Sequence, residues 1–200
     1  MATVQLAASP AQQATQASRT VLHVGCGPVD TESLHQRFRG NDWHEIRLDL
    51  DPDAKPDVVA SITDMRQIAD NAADAVWSSH NLEHLSAHDV PLALGEFFRV
   101  LKPGGFALIT LPDLQQVAEF IVADKLEDIA YESPAGPIMP LDCVYGLGRA
   151  IASGHPLMAH RTGFTEKTLR KHLERAGFCD VRISFSPFAL WAEAAKPCPK

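Results

Sequence analysis

The chain has 200 residues, 46% of them hydrophobic and 22% charged, with a formal net charge of −7. That length suits one domain with a substantial core. No apolar stretch reaches the roughly eighteen residues of a membrane span, and the acidic balance disfavours nucleic acid, which needs a concentrated basic surface.

The basic run Lys167, Arg170, Lys171 and Arg175 is interleaved with Glu166 and Glu174 and reads as a solvated helix face. Cys26, Cys143, Cys179 and Cys198 form no CxxC pair, and no secretion signal precedes them. Reduced thiols in the cytoplasm are the expectation. Residues 1–18, rich in Ala, Gln, Ser and Thr, read as a flexible leader, and 19–200 as a single domain.

The first strand is expected over 20–24, entering a tight turn at Gly25-Cys26-Gly27-Pro28. A weak helix follows over 31–39, then strands over 45–50, 57–60 and 74–78. Val90, Leu94, Phe97, Phe98 and Leu101 recur at helical spacing, with Asp89 available as the cap and Pro91 in the first turn. Pro103-Gly104-Gly105 stops that helix before an apolar strand over 106–111, and a further helix is expected over 113–131.

Residues 132–162 are irregular, with a short helix near 141–152. Thr165 then caps a helix, Phe164 and Leu169 form its hydrophobic staple, and Gly177 closes it. Strands over 181–185 and 188–191 end the chain as a hairpin expected to add an antiparallel edge strand.

Strands alternating with helices predict a doubly wound α/β domain, a mostly parallel sheet of about seven strands with helices on both faces. Ligands in such sheets bind beyond the carboxyl ends of the strands, at the switch point. Gly25-Cys26-Gly27, Asp49 and Ser78-Ser79-His80 all fall at such ends, so three segments converge on one crevice. Glycines there permit close backbone approach to a ligand. A dinucleotide would require a third glycine three positions after the second, where this chain has Asp30, a negative charge aimed at phosphate. An NAD-dependent reductase is therefore the lesser alternative. A glycine turn, a ribose-gripping acid at Asp49 and no phosphate cradle point to adenosine carrying an amino-acid tail.

Residues 21–27, Asp74-Ala75-Val76-Trp77 followed by Leu82-Glu83-His84-Leu85, and Phe98-Arg99-Val100-Leu101-Lys102-Pro103-Gly104-Gly105 resemble class I S-adenosylmethionine-dependent methyltransferases in order and spacing. The similarity is strong over about 20–111 and moderate over 163–194. It implies S-adenosylmethionine as cofactor and methyl transfer to a small-molecule acceptor. It further implies that Gly25 and Gly27 line the methionine end, that Asp49 holds the ribose, and that Ile62 (through its backbone), Thr63 and Asp64 lie near adenine. Ser78 and His80 would flank the sulfonium.

Besides Ser61, which stands where an acid is often found at the adenine position although Asp64 lies near, the chain departs from the family pattern at three points. His23 stands where an acid is usual, Val29 replaces a third glycine, and 51–56 is too short for a crossover helix. These departures keep a catalytically inactive methyltransferase-like module open as the alternative.

Methyl transfer is an in-line displacement in which the protein positions the nucleophile, and a hydroxyl or protonated amine must also lose a proton. His80 is the candidate base or substrate-orienting group. The 132–162 segment is the expected substrate cover, with Tyr145, His155, His160 and Arg161 as its polar candidates. Arg161 suits a substrate carboxylate or, equally, pairs with Asp142. No metal is expected: His80, His84 and His88 follow at i+4 spacing but lack the HExxH glutamate placement and any further ligand. Glu83-His84 also belongs to the family pattern in enzymes that need no metal there.

Overall fold

The computed structural model describes residues 18–28 and 33–199. The leader at 1–17, and with it Val29, Asp30 and the start of the helix expected over 31–39, lie outside the described residues. Of that helix, the described part holds a single 3-10 turn, Gln36–Phe38, started by His35 Nδ1 accepting from the Arg37 N–H.

The strands in chain order are β1 (Arg19–Val24), β2 (Trp43–Asp49), β3 (Val58–Val59), β4 (Ala73–Ser79), β5 (Leu101–Pro112), β6 (Tyr131–Ser133), β7 (Gly136–Ile138), β8 (Cys179–Ser186) and β9 (Ala189–Ala195). The helices are α1 (Val90–Val100), α2 (Leu114–Val122), α3 (Pro140–Tyr145), α4 (Gly148–Ala152) and α5 (Glu166–Arg175). Seven strands form one sheet in the order β3-β2-β1-β4-β5-β9-β8, parallel through β5 and antiparallel beyond it.

The apolar runs in the sequence are explained by burial on both faces. Leu22, Val24, Val76, Ala107 and Ile109 point to one face, where α1 and α5 supply Leu94, Phe97, Leu169 and Leu173. Val21, Ala75, Trp77 and Leu108 point to the other, against Phe38, Trp43 and Trp191. Period-two alternation sends successive apolar residues to opposite layers, so a strand buried on both sides reads as continuous hydrophobicity. On the second face Trp77 stacks on Trp191 at 5.8 Å and donates its indole N–H to the Ser33 carbonyl.

The C-terminal hairpin adds the expected antiparallel edge strand. Its second strand, β9, pairs with β5 and lies inside, leaving β8 as the edge. Leu190, Ala192 and Ala194 are fully buried along β9, whereas Asp180, Arg182, Ser184 and Phe185 of β8 are exposed. Small apolar residues fit the interior position, and charged ones blunt an edge.

The short link after β2 leaves β3 with two residues, reached through a 3-10 turn at Pro52–Ala54. The strand is vestigial because so short a crossover leaves no room for a covering helix.

Three local differences have local causes. Asp89 already has helical backbone angles, so its carboxylate does not cap α1 and sits beside His88 instead. Helix α2 ends at Val122 rather than near 131, where Asp124 takes φ 58° and its N–H returns to the Ile121 carbonyl. The polar run Asp124-Lys125 supplies no further buried stripe to extend it. Residues 131–138 form the unforeseen hairpin of β6 and β7. At α5 the expected cap stands: Thr165 exchanges bonds with Thr168, and Phe164 and Leu169 are buried together.

Loop 60–70 is pinned to α1 by charge. Arg99 reaches both oxygens of Glu96 (2.6 and 2.8 Å) and also donates to the carbonyls of Met65 and Ile68 and to Asp70. Glu96 Oε2 in turn accepts the Met65 N–H at 2.6 Å. The Arg99 hydrogen bonds, helped by the Met65 N–H and opposed by burial, hold the Glu96 carboxyl below its ordinary value. A depressed carboxyl stabilises the fold above its unfolded pKa and loses that contribution as pH falls through the folded one. Glu96→Gln is therefore expected to cost about 1.5–3 kcal/mol at neutral pH. Urea midpoints of the two proteins should converge below about pH 4; a gap that persists undiminished at lower pH would contradict the assignment.

Candidate active site

β1 has β2 on one side and β4 on the other: the chain runs outward from β1 through β2 to β3, then crosses back to β4 and β5 on the opposite side, and this reversal opens a crevice at the carboxyl end of β1. Gly25 and Gly27 have φ of 59° and 62°, the left-handed region that side chains resist. A Cβ on Gly25 would fall 2.4 Å from the Asn81 amide, so the turn and the loop after β4 are in direct contact. A Cβ on Gly27 would meet nothing within 4 Å, which leaves open space beside the backbone.

Asp49 closes β2 beside this space. Its Oδ2 accepts the Gly27 N–H at 2.8 Å and its Oδ1 the Asp51 N–H at 2.9 Å, each oxygen keeping a lone pair for a ligand hydroxyl. Arg47, which the sequence reading passed over, props the turn from below through the Gly27 carbonyl and the Lys55 carbonyl. His23 is buried and bonded at 2.7 Å to Glu45 of β2, so the neighbouring strand supplies an acid where the sequence has a histidine. Burial lowers the His23 pKa against the pull of Glu45. Burial likewise pushes the Cys26 thiol up to about 11, and it packs as an apolar group.

In the third segment, after β3, Ile62 is buried in the main core. Thr63 and Ser61 share a 2.7 Å hydroxyl contact, and Asp64 is gripped at both oxygens by Arg66 on the surface.

Four buried side-chain atoms lack a hydrogen-bond partner among the described residues: Ser78 Oγ, Asn81 Nδ2, Glu83 Oε2 and Thr110 Oγ1. All belong to the carboxyl ends of β4 and β5 or the loop between β4 and α1, where Ser79 pairs with Thr110. Orphaned polar atoms are costly and concentrate where a ligand belongs. Sequence reasoning found Ser78 but not Asn81 or Thr110, because their orphaned state depends on burial by distant residues. An open glycine cradle, a carboxylate with spare lone pairs and unsatisfied polar atoms at the adjoining strand ends fit a nucleoside with an amino-acid tail.

His80 stands in the same loop at φ 48°, its side chain 48% exposed, with Nδ1 3.2 Å from Glu83 Oε1. Burial opposes charging of His80, but the bond and charge of Glu83 outweigh it and the net shift is upward.

The expected cover folds as β6, β7, α3 and α4 with a small core of its own: Val117, Ile138, Cys143 and Phe188. Its return is sewn to the site, since the Arg161 and Thr162 N–H groups both donate to the Glu83 carbonyl. Tyr145 is exposed, and the Arg161 guanidinium has no partner among the described residues; Asp142 instead caps α3 through the Met139 and Gly148 N–H groups. His160 is turned inward, with Nδ1 2.9 Å from the Cys143 carbonyl and its ring 4.9 Å from that of His84. His155 and His88 are exposed away from it. A depression of about 370 Å³ lined by Leu108, Ile183 and Trp191 lies on the flank of the sheet, not at the strand ends. Among the described residues no helix is long and apolar enough to cross a membrane.

Comparison with known proteins bears on the domain and the fold. The methyltransferase domain family matches residues 22–109, from β1 to β5. Malonyl-[acyl-carrier protein] O-methyltransferase of Erwinia billingiae is 29% identical over 138 residues, 64% of this chain and 52% of that protein. The match thus spans about half the length of this curated relative. An S-adenosylmethionine-dependent methyltransferase from Archaeoglobus fulgidus superposes with a TM-score of 0.59 at 18% identity, covering 90% of this chain and 86% of that one. An O-methyltransferase family protein from Burkholderia thailandensis gives 0.61 at 17% identity, covering 92% and 52%. Residues 22–109 thus match the methyltransferase domain family, and the sheet has the fold of the S-adenosylmethionine-dependent methyltransferase it superposes on.

Proposed function

We propose that this chain methylates a small molecule held beneath residues 131–162, at an oxygen, nitrogen or carbon nucleophile. The observation that carries the reading is the gathering of Ser78, Asn81 and Thr110, each with an unsatisfied buried polar atom, at the strand ends beside the Gly25–Gly27 turn.

S-adenosylmethionine, when bound, supplies an activated methyl group and a neutral leaving group. Gly25 and Gly27 line its methionine end, Asp49 accepts from the ribose hydroxyls, and the backbone of Ile62 with Thr63 and Asp64 borders adenine. Ser78 and His80 flank the reacting centre. His80 takes the acceptor's proton or holds the acceptor in line, and Glu83 fixes its imidazole through Nδ1. On the cover, Tyr145 and Arg161 meet the acceptor, and a planar guanidinium favours one that carries a carboxylate.

Three variants test the reading. Calorimetric titration should show binding of S-adenosylmethionine and of its demethylated product, weakened at least tenfold in Asp49→Ala; binding of NADH instead would reject the assignment. Gly27→Ala puts a methyl into open space at a left-handed residue, so it should cost only about 1–2 kcal/mol of stability while cofactor affinity drops sharply. Unaltered affinity would mean that the space is not the cofactor's. His80→Ala should lower turnover by roughly 10²–10⁴-fold on an identified acceptor with cofactor affinity within a few-fold; unchanged turnover removes His80 from the reaction.

A further inference from the structure

Glu83 and His84 leave the loop after β4, and His160 comes from the far end of the cover, 76 residues later. One ligand atom from each, a carboxylate oxygen and two ring nitrogens, lies within 4.8 Å of the other two. We propose that Glu83, His84 and His160 bind a divalent transition-metal ion of the Zn2+ type, which ties the cover to the loop beside the reacting centre. This inference does not depend on methyl transfer.

Three independent features support it. Glu83 is 1% exposed; Oε1 faces His80, while Oε2 is buried with no partner among the described residues. An unpaired buried carboxylate oxygen is costly, and a cation relieves it. Both imidazoles are held from behind: His84 Nδ1 lies 3.2 Å from the Ala159 carbonyl and His160 Nδ1 2.9 Å from the Cys143 carbonyl. Each ring therefore donates its Nδ1 proton to backbone, and in the neutral tautomer this selects, Nε2 is the nitrogen that offers a lone pair. Metal-ligating histidines show this carbonyl-anchored arrangement, which sets tautomer and ring direction before the ion arrives. Finally, the backbone is already registered, since the N–H groups of Arg161 and Thr162 bond the Glu83 carbonyl.

Two imidazoles and one carboxylate suit Zn2+ or a neighbouring transition metal and disfavour Mg2+ and Ca2+, which prefer all-oxygen shells. Bonds of about 2.0–2.2 Å place tetrahedral ligands roughly 3.4 Å apart, so the cluster needs to contract by about an ångström or so. Three protein ligands leave one position open. The i+4 histidine row of the sequence is not the basis, because His88 is exposed beside Asp89 and the third ligand comes from the cover.

The test uses untagged full-length protein freed of metal with chelator. Titration with ZnCl2 should give one equivalent bound at micromolar affinity or better, a higher Tm, and slower amide exchange in residues 139–162. Co2+ should give the visible absorption of a four-coordinate site. His84→Asn and His160→Asn should each weaken Zn2+ binding by more than tenfold, whereas His155→Asn leaves it intact. Circular dichroism separates loss of ligand from loss of fold, and Glu83→Asp serves as a variant that keeps the charge. Absence of stoichiometric binding, or a folded His160→Asn protein that binds Zn2+ like wild type, would overturn the proposal.

Discussion

The reversal of strand order at β1 is the constraint on which the site depends. The chain builds outward from β1 through β2 to β3 and then returns to build β4 and β5 on the other side, so the connections diverge at the carboxyl end of β1. The Gly25–Gly27 turn, Asp49 and the His80 loop are brought together by that topology alone, though they are scattered over more than fifty residues of sequence. The 2.8 Å bond from Gly27 N–H to Asp49 then fixes two of the three segments relative to each other.

Polar groups left unsatisfied at the ends of β4 and β5 give the crevice its chemical character. Elsewhere the sheet pairs its backbone and buries its apolar residues on two faces, as a stable parallel sheet must. At Ser78, Asn81, Glu83 and Thr110 that economy is suspended. The N–H groups of Arg161 and Thr162 bond the Glu83 carbonyl at the same point, so one short loop carries the His80 contact, this long-range anchor and two of the proposed metal ligands.

Much of the frame was legible because it is written in local signals. The strands over 20–24 and 74–78, helix α1 and the Thr165 cap follow from periodicity, glycine turns and capping chemistry, which act over a few residues. The glycine turn and Asp49 were legible for the same reason, each marking the end of a strand. Asp64, assigned near adenine through the resemblance, is held at both oxygens by Arg66 two residues away, a pairing that the sequence did not signal. Asn81, Thr110 and Arg47 carried no signal, since an amide, a hydroxyl or a guanidinium becomes part of a site only through what surrounds it.

Sequence by itself determined the alternating α/β plan and the glycine-lined turn with an acid ending the next strand, because each is written in interactions between near neighbours in the chain. Only the tertiary structure decided that β9 enters the sheet inside β8, that the link after β2 leaves a two-residue strand, and that His160 faces His84 and Glu83. Those outcomes depend on which surfaces remain to be buried once the sheet has formed, and on loops that return from far along the chain. Long-range packing of that kind leaves no periodic trace in the order of residues.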